Sequence, residues 1–225
     1  MSNDELNYYT TPRSTPSGSE TIFGIWERGD SFNDSVTPST FVPEYRYHMM
    51  MKLLSLTSEG DAVFSIGCGN AAVEGALVER GRLVHAVDLF PEAVSLARAK
   101  GVDAHVADFF QTSAADVAGC SALYADGILG HLFDRHDGVG PAIDKLTDLD
   151  LNTGMQLVFS NDAPPDRNAP YAEHERVPGF WYVSKDYLAE ELTDAGLSVS
   201  ESYYFPYERP LSGLRNRSIC VAHIR

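Results

Sequence analysis

The chain has 225 residues, 44% of them apolar, and a formal net charge of −15. That length buries a full core and reads most simply as one domain, while the charge speaks against nucleic acid, which is bound by neutralising phosphates, and against an anionic membrane surface. Cys68, Cys120 and Cys220 make no disulfide framework, and none stands at metal-ligand spacing from a histidine, so no metal is expected. With no signal-like start and no apolar run near about twenty residues, the expected setting is cytoplasmic.

Residues 1–21 are rich in Thr, Ser, Pro, Asn and Asp, and TTPRSTPSGSE reads as flexible. Composition alone leaves Tyr8 and Tyr9 exposed in that tail. The run Ile22-Phe23-Gly24-Ile25-Trp26 is too apolar for a tail and is expected to dock near the active face. Pro43 suits a first helical position and opens a helix over 44–56. Tyr47, Met50, Met51 and Leu54 supply an apolar face, and the Met run is read as core packing.

The most informative stretch is AVFSIGCGNAAVEG, residues 62–75. An apolar run through Ile66 breaks into Gly67-Cys68-Gly69 and restarts with Ala71, Ala72, Val73, Leu77 and Val78 at helical spacing, which predicts strand, glycine turn and helix. The glycines let the backbone turn tightly with no Cβ against a ligand, and the helix presents free N–H groups at its start. Such a turn suits a nucleoside. A second buried strand, 83–88, ends in Asp88, at about the distance past Gly69 where a doubly wound sheet places the acid for a ribose diol. A third strand, 104–107, ends in Asp108-Phe109-Phe110, where a carboxylate can accept from an adenine amino group and an aromatic ring can cover the base.

A helix is expected over 91–100, stopped by Gly101, and a fourth strand over 122–125, ending in Asp126-Gly127 with His131 and Phe133 close behind. A helix over 138–151 and a fifth strand over 155–160 follow, the latter ending in Asn161-Asp162. The long polar loop 166–180 carries Glu173, His174 and Glu175, and runs into Phe180-Trp181-Tyr182, aromatics expected to cover a pocket. Ser184 caps a last helix, 185–195, before two antiparallel strands, 199–207 and 218–224. Arg209, Arg215 and Arg217 lie in the link between them, either to bind a carboxylate bidentately or as a solvated rim of charge.

With FSIGCGNA, HAVDLF and VADFF in this order and spacing, the chain resembles the class I S-adenosylmethionine-dependent methyltransferases over roughly residues 42–225. A dinucleotide dehydrogenase would carry a glycine where Ala72 stands. The resemblance implies an α/β, Rossmann-like fold, a seven-stranded mostly parallel sheet between helices with an antiparallel last strand. It implies S-adenosylmethionine as cofactor, with Ser65, Gly67, Cys68, Gly69, Asp88, Leu89, Asp108, Phe109 and Asp126 around it. Candidates at the reacting end are Asp126, His131, Asn161, His174 and Tyr182, with packing or capping the competing role for His131. The resemblance also turns the 1–21 segment from plain tail into a lid over a domain spanning 22–225. No Asn/Asp-Pro-Pro-Tyr follows the fourth strand, so the amine and amide methylases of nucleic acid are not matched.

Three functions share these features. Methyl transfer to a small molecule comes first, its catalysis resting on in-line alignment and, for a hydroxyl or acidic carbon, a base. The second is cyclisation of the cofactor itself, its amine attacking the carbon next to sulfur to give azetidine-2-carboxylate and methylthioadenosine. The third is a binding protein without turnover. Ser65 bears on the second. The resembled family commonly has Asp or Glu there, close to the methionine amine, and a carboxylate would favour the ammonium form, whereas a cyclase needs the lone pair free, with aromatics such as Trp26, Trp181 and Tyr182 around the sulfonium.

Overall fold

The computed structural model describes residues 3–16 and 18–225. The N-terminal part comprises α1 (Asn3–Thr10), the hairpin β1 (Arg13–Thr15) and β2 (Gly18–Glu20), α2 (Ile22–Glu27) and α3 (Pro38–Phe41). Next come α4 (Pro43–Leu56), β3 (Ala62–Ile66), α5 (Ala72–Val78), β4 (Leu83–Asp88), α6 (Pro91–Ala99) and β5 (Asp103–Val106). The second half runs α7 (Ala114–Val117), β6 (Cys120–Asp126), α8 (Leu129–Leu132), α9 (Gly140–Thr147), β7 (Gln156–Asp162), β8 (Tyr171–Glu173), β9 (Trp181–Val183), α10 (Lys185–Asp194), β10 (Ser198–Arg209) and β11 (Gly213–His223). Of the 1–21 segment, residues 1, 2 and 17 lie outside the described residues.

The central sheet has the order β10-β11-β7-β6-β3-β4-β5. The strands from β7 to β5 are parallel, and β11 is antiparallel to both β7 and β10, the Rossmann-like arrangement expected. Helices cover both faces, so the strands read as near-continuous apolar runs, and the alternation of side chains sorts neighbours between two cores. Val63, Tyr124, Val158 and Val221 pack with Tyr45, Met49, Leu53, Val73, Leu77 and Val94 of α4, α5 and α6. Phe64, Leu123, Phe159 and Cys220 pack on the other face with Ile143, Leu146, Leu188 and Leu192 of α9 and α10. The chain moves outward from β3 to β5 and then returns to β6 beside β3. That reversal opens a crevice at the carboxyl ends of β3 and β6, where such sheets hold ligands.

Three expectations need correction. Helix α4 buries Tyr45, Met49, Met50 and Leu53, while Tyr47 and Met51 are 60% and 46% exposed. Both stripes have helical spacing, and the Tyr45 hydroxyl, bonded to Ser160 and Asp126, selects the buried one. The stretch 166–180 is not loop throughout, since it contains β8, which pairs antiparallel with β9. The basic link is a hairpin extension of β10 and β11, with Arg209 opposite Gly213.

Candidate active site

The site grows from the turn after β3. Gly67 and Gly69 have φ of 65° and 53°, left-handed values that suit glycine. A Cβ at Gly67 would lie 2.8 Å from the Ile128 side chain. The Asp88 carboxylate accepts from Gly69 N at 2.9 Å and from Phe90 N at 2.9 Å, tying the end of β4 to the turn after β3. Burial raises its pKa against the pull of those N–H groups. Each carboxylate oxygen keeps further acceptor capacity for a ligand hydroxyl. Asp108 accepts from Phe110 N at 3.0 Å and caps a short 3₁₀ turn, Phe109–Gln111, that holds the Phe109 ring buried.

A cleft runs over the carboxyl ends of the strands. In sheet order its floor passes from Asp108 and Phe109 after β5, through Asp88 and Leu89, the Gly67-Cys68-Gly69 turn, and Asp126-Gly127, to Asp162 of β7. The roof is N-terminal. Tyr9, Phe23, Trp26 and Phe90 form one aromatic cluster, and Tyr9, expected exposed on composition, is buried. Its hydroxyl shares a 2.7 Å hydrogen bond with His131 Nε2, while His131 Nδ1 is buried with no partner among the described residues.

At the inner end, buried charges pair with one another. Asp126 accepts from Tyr45 and Tyr124 hydroxyls at 2.9 and 3.0 Å and from Arg217. Asp162 accepts from the Tyr207 hydroxyl at 2.6 Å, from Arg209, and from Arg217 Nη1 at 3.1 Å. Arg217 Nε also donates to Ser160 Oγ at 3.1 Å. Arg209 and Arg217 hold Asp162 well below the usual carboxylate range, overcoming the opposing effect of its burial. These two arginines are 7% and 2% exposed, so the solvated-rim expectation fails for them. The carboxylates they take are internal, because β11 pairs in a register that sets Arg217 directly opposite Asp162.

The other predicted residues divide into wall and backing. Gly67, Cys68, Gly69, Asp88, Leu89, Asp108, Phe109, Asp126, His131 and His174 line the cleft. Ser65, Asn161 and Tyr182 are buried behind it. Asn161 accepts from Gly130 N and donates to Trp181 O, both at 3.0 Å, bracing α8 against β9. His174 Nδ1 accepts from Arg176 N and Val177 N, and its ring stacks on Tyr182 at 4.7 Å between centroids. Ser65 Oγ donates to Glu74 Oε1 at 2.6 Å. Sequence reasoning missed Glu74, Asn70, Tyr45 and Asp162; Tyr45 and Asp162 are remote from the glycine motif, while the cue for Asn70 and Glu74 was two polar side chains in the otherwise small and apolar stretch from Gly69 into α5. Among the described residues no cluster of three or more His, Cys, Asp or Glu is arranged for a metal, and no helix is long and apolar enough to cross a membrane.

His131 makes acid stability testable. Burial holds its pKa down to about 4, opposed by Glu5 and assisted by His174. The native imidazole therefore stays neutral below pH 6.5, where the unfolded chain takes up a proton. Stability from this group is full above pH 6.5 and is lost as pH falls towards 4, by about 3 kcal/mol. Urea unfolding at pH 7 and pH 4.5 should show a smaller acid loss for His131→Gln than for the parent, and equal losses would exclude this origin.

No protein-family model matches the chain. It is 54% identical over 216 residues to the tabtoxin biosynthesis enzyme of Pseudomonas amygdali pv. tabaci, covering 96% of this chain and 86% of that one. The chain belongs to the family of that enzyme. Among solved structures, magnesium protoporphyrin IX methyltransferase of Synechocystis PCC 6803 with bound S-adenosylmethionine superposes with a TM-score of 0.66 at 16% identity, over 100% of this chain and 99% of that one. The 1,6-didemethyltoxoflavin-N1-methyltransferase of Burkholderia thailandensis gives 0.59 at 21% identity, over 80% and 77%. At these identities the likeness is one of fold, and the fold is that of the class I S-adenosylmethionine-dependent methyltransferases.

Proposed function

We propose that the protein is an S-adenosylmethionine-dependent enzyme of specialised metabolism that transfers the sulfonium methyl to a small-molecule acceptor. The observation that carries this is the continuous cleft over five parallel strands, lined by Asp88, Asp108 and Phe109 on one side of the glycine turn and by Ile128, His131, Asp162 and His174 on the other; in this reading Asp88 takes the ribose diol and Asp108 and Phe109 the adenine. The relative's role in tabtoxin biosynthesis supports the metabolic setting. The residues present fit the cofactor: the carboxylates of Asp88 and Asp108 offer acceptors for a nucleoside's hydroxyls and amino group, and the rings of Tyr9, Phe23, Trp26 and Phe180 line the same cleft and suit a sulfonium. Bound there, S-adenosylmethionine supplies an activated carbon on a positive sulfur. The chain's own work is to align that carbon and exclude water. Neutral His131, bonded to Tyr9, and neutral His174, whose Nδ1 already accepts from Arg176 N and Val177 N, are placed to shape and orient the acceptor rather than to take its proton.

A second reading, cyclisation of the cofactor, is favoured by two features. The cleft is roofed by Tyr9, Phe23 and Trp26, and the charged groups of its inner wall are engaged with one another. The α-amine would attack the carbon bonded to sulfur, the C–S bond would break with its electron pair going to sulfur, and the amine's proton would pass to a base. Incubation with S-adenosylmethionine alone, followed by mass spectrometry, separates the two. Methyl transfer gives S-adenosylhomocysteine only when an acceptor is added. Methylthioadenosine with azetidine-2-carboxylate from cofactor alone would replace the first reading by the second. Tight binding with no product under any condition would leave a binding protein.

In either reading the segment from α1 to α2 acts as a lid, pinned by the Tyr9–His131 hydrogen bond. Trypsin cleavage at Arg13 should slow severalfold with saturating S-adenosylmethionine. Equal rates with and without it would exclude a lid.

A further inference from the structure

Glu74 is a carboxylate with no obvious structural employment. It is 4% exposed, lies in the first turn of α5, and lines the cleft beside the glycine turn. It accepts from the Ser65 hydroxyl and from its own backbone N–H, and no lysine or arginine nitrogen forms an ion pair with it among the described residues. The neighbouring carboxylates are satisfied differently, Asp126 by Arg217 and Asp88 by backbone N–H groups. A buried carboxylate without a cation is costly. Nearby, Asn70 is 2% exposed, lines the same cleft, and leaves its Nδ2 without a partner. A buried carboxylate with no cation and an unused amide donor at one end of a pocket match a ligand that carries both an ammonium and a carboxylate.

We propose that Glu74, reaching from α5 to the hydroxyl of Ser65, recognises the α-amino group of the ligand's amino-acid end, with the Asn70 amide beside it for the carboxylate. This rests on the nucleoside reading above and assigns the acid that β3 itself lacks to the facing helix. The carboxylate is adjustable. Burial lifts its pKa to about 7, the Ser65 hydroxyl lowers it, and Asp126 and Asp88 raise it further. The other ionisable groups facing it are Tyr124 of β6 and Cys68 of the turn, both held neutral by burial, with Lys100 acting on Cys68 from beyond α6. A carboxylate of this kind takes up the amine's charge when ionised and can receive its proton, so it serves methyl transfer as a handle and cyclisation as a proton acceptor.

The test compares S-adenosylhomocysteine with methylthioadenosine, which keeps the adenosine and the thioether but has no amino-acid end. By calorimetry, Glu74→Gln should weaken S-adenosylhomocysteine at least tenfold and change methylthioadenosine less than twofold. Ser65→Asp combined with Glu74→Gln should restore most of the preference by returning an acid to β3. The parent protein gives the same answer without substitution. From pH 8 to pH 6 the affinity ratio of S-adenosylhomocysteine to methylthioadenosine should fall about tenfold as Glu74 protonates. Equal losses for both ligands in Glu74→Gln, or a pH-independent ratio, would overturn the assignment while leaving the nucleoside site intact. If the parent binds neither ligand, the nucleoside reading fails and the assignment fails with it.

Discussion

Asp88→Ala should lower the affinity for S-adenosylmethionine by about 2–4 kcal/mol, roughly thirtyfold to several hundredfold. In the proposed function this carboxylate takes the ribose diol, and its deletion leaves both ligand hydroxyls without a charged acceptor in a buried place. The same change releases Gly69 N–H and Phe90 N–H, which the two oxygens hold at 2.9 Å, so stability should fall as well. Asp88→Asn separates the effects. It preserves shape and one acceptor, but sets an amide N–H against one of the two backbone donors. Calorimetry on variants shown by circular dichroism to be folded is the measurement. Undiminished affinity in folded Asp88→Ala would confine this residue to bracing the turn.

Arg217→Met should be the most damaging change for stability, by about 3–5 kcal/mol, because removing one member of a buried ion cluster strands the others. For a chain of this length that is roughly a 6–20 °C fall in melting temperature. Asp126 would lose its cation entirely, while Asp162 would keep Arg209. The asymmetry is itself testable. Adding Asp126→Asn to Arg217→Met should recover part of the loss, since an amide can remain with the Tyr45 and Tyr124 hydroxyls without a buried charge. Adding Asp162→Asn should recover less, as it orphans Arg209. A melting temperature unchanged in Arg217→Met would mean that the arginine is solvated and that the inner wall of the cleft is open.

The parts of this protein legible in its residues are those that close over short stretches of chain. Strand β3, its glycine turn and α5 occupy fewer than about twenty residues, and their pattern is dictated by backbone sterics and a buried sheet. The places of Asp88 at the end of β4 and Asp108 just past β5 were legible because parallel strands ending in a carboxylate repeat at the length of one strand–helix unit. The order of three such units, together with the two long C-terminal strands, carried the sheet and its antiparallel end.

What only the tertiary structure decided depends on contacts between distant segments. The α4 stripes Tyr45-Met49-Leu53 and Tyr47-Met50-Met51-Leu54 both have helical apolar spacing, and a hydroxyl bonded to Ser160 across the sheet selects the first, with Met50 buried beside it. Arg217 is indistinguishable from a surface arginine until β11 pairs with β7 and sets it against Asp162. Tyr9 stands in a stretch composed like a tail, yet its ring is buried against Phe23, Trp26 and Phe90, where the aromatic area removed from water offsets the entropy of ordering a short helix. Ser65 read alone signalled a missing carboxylate, but Glu74 returns one to the same hydroxyl from the facing helix. Local residues set which elements form, because backbone preference and periodicity act over a few residues. The electrostatics of the cleft were set by the register and packing that bring those elements together.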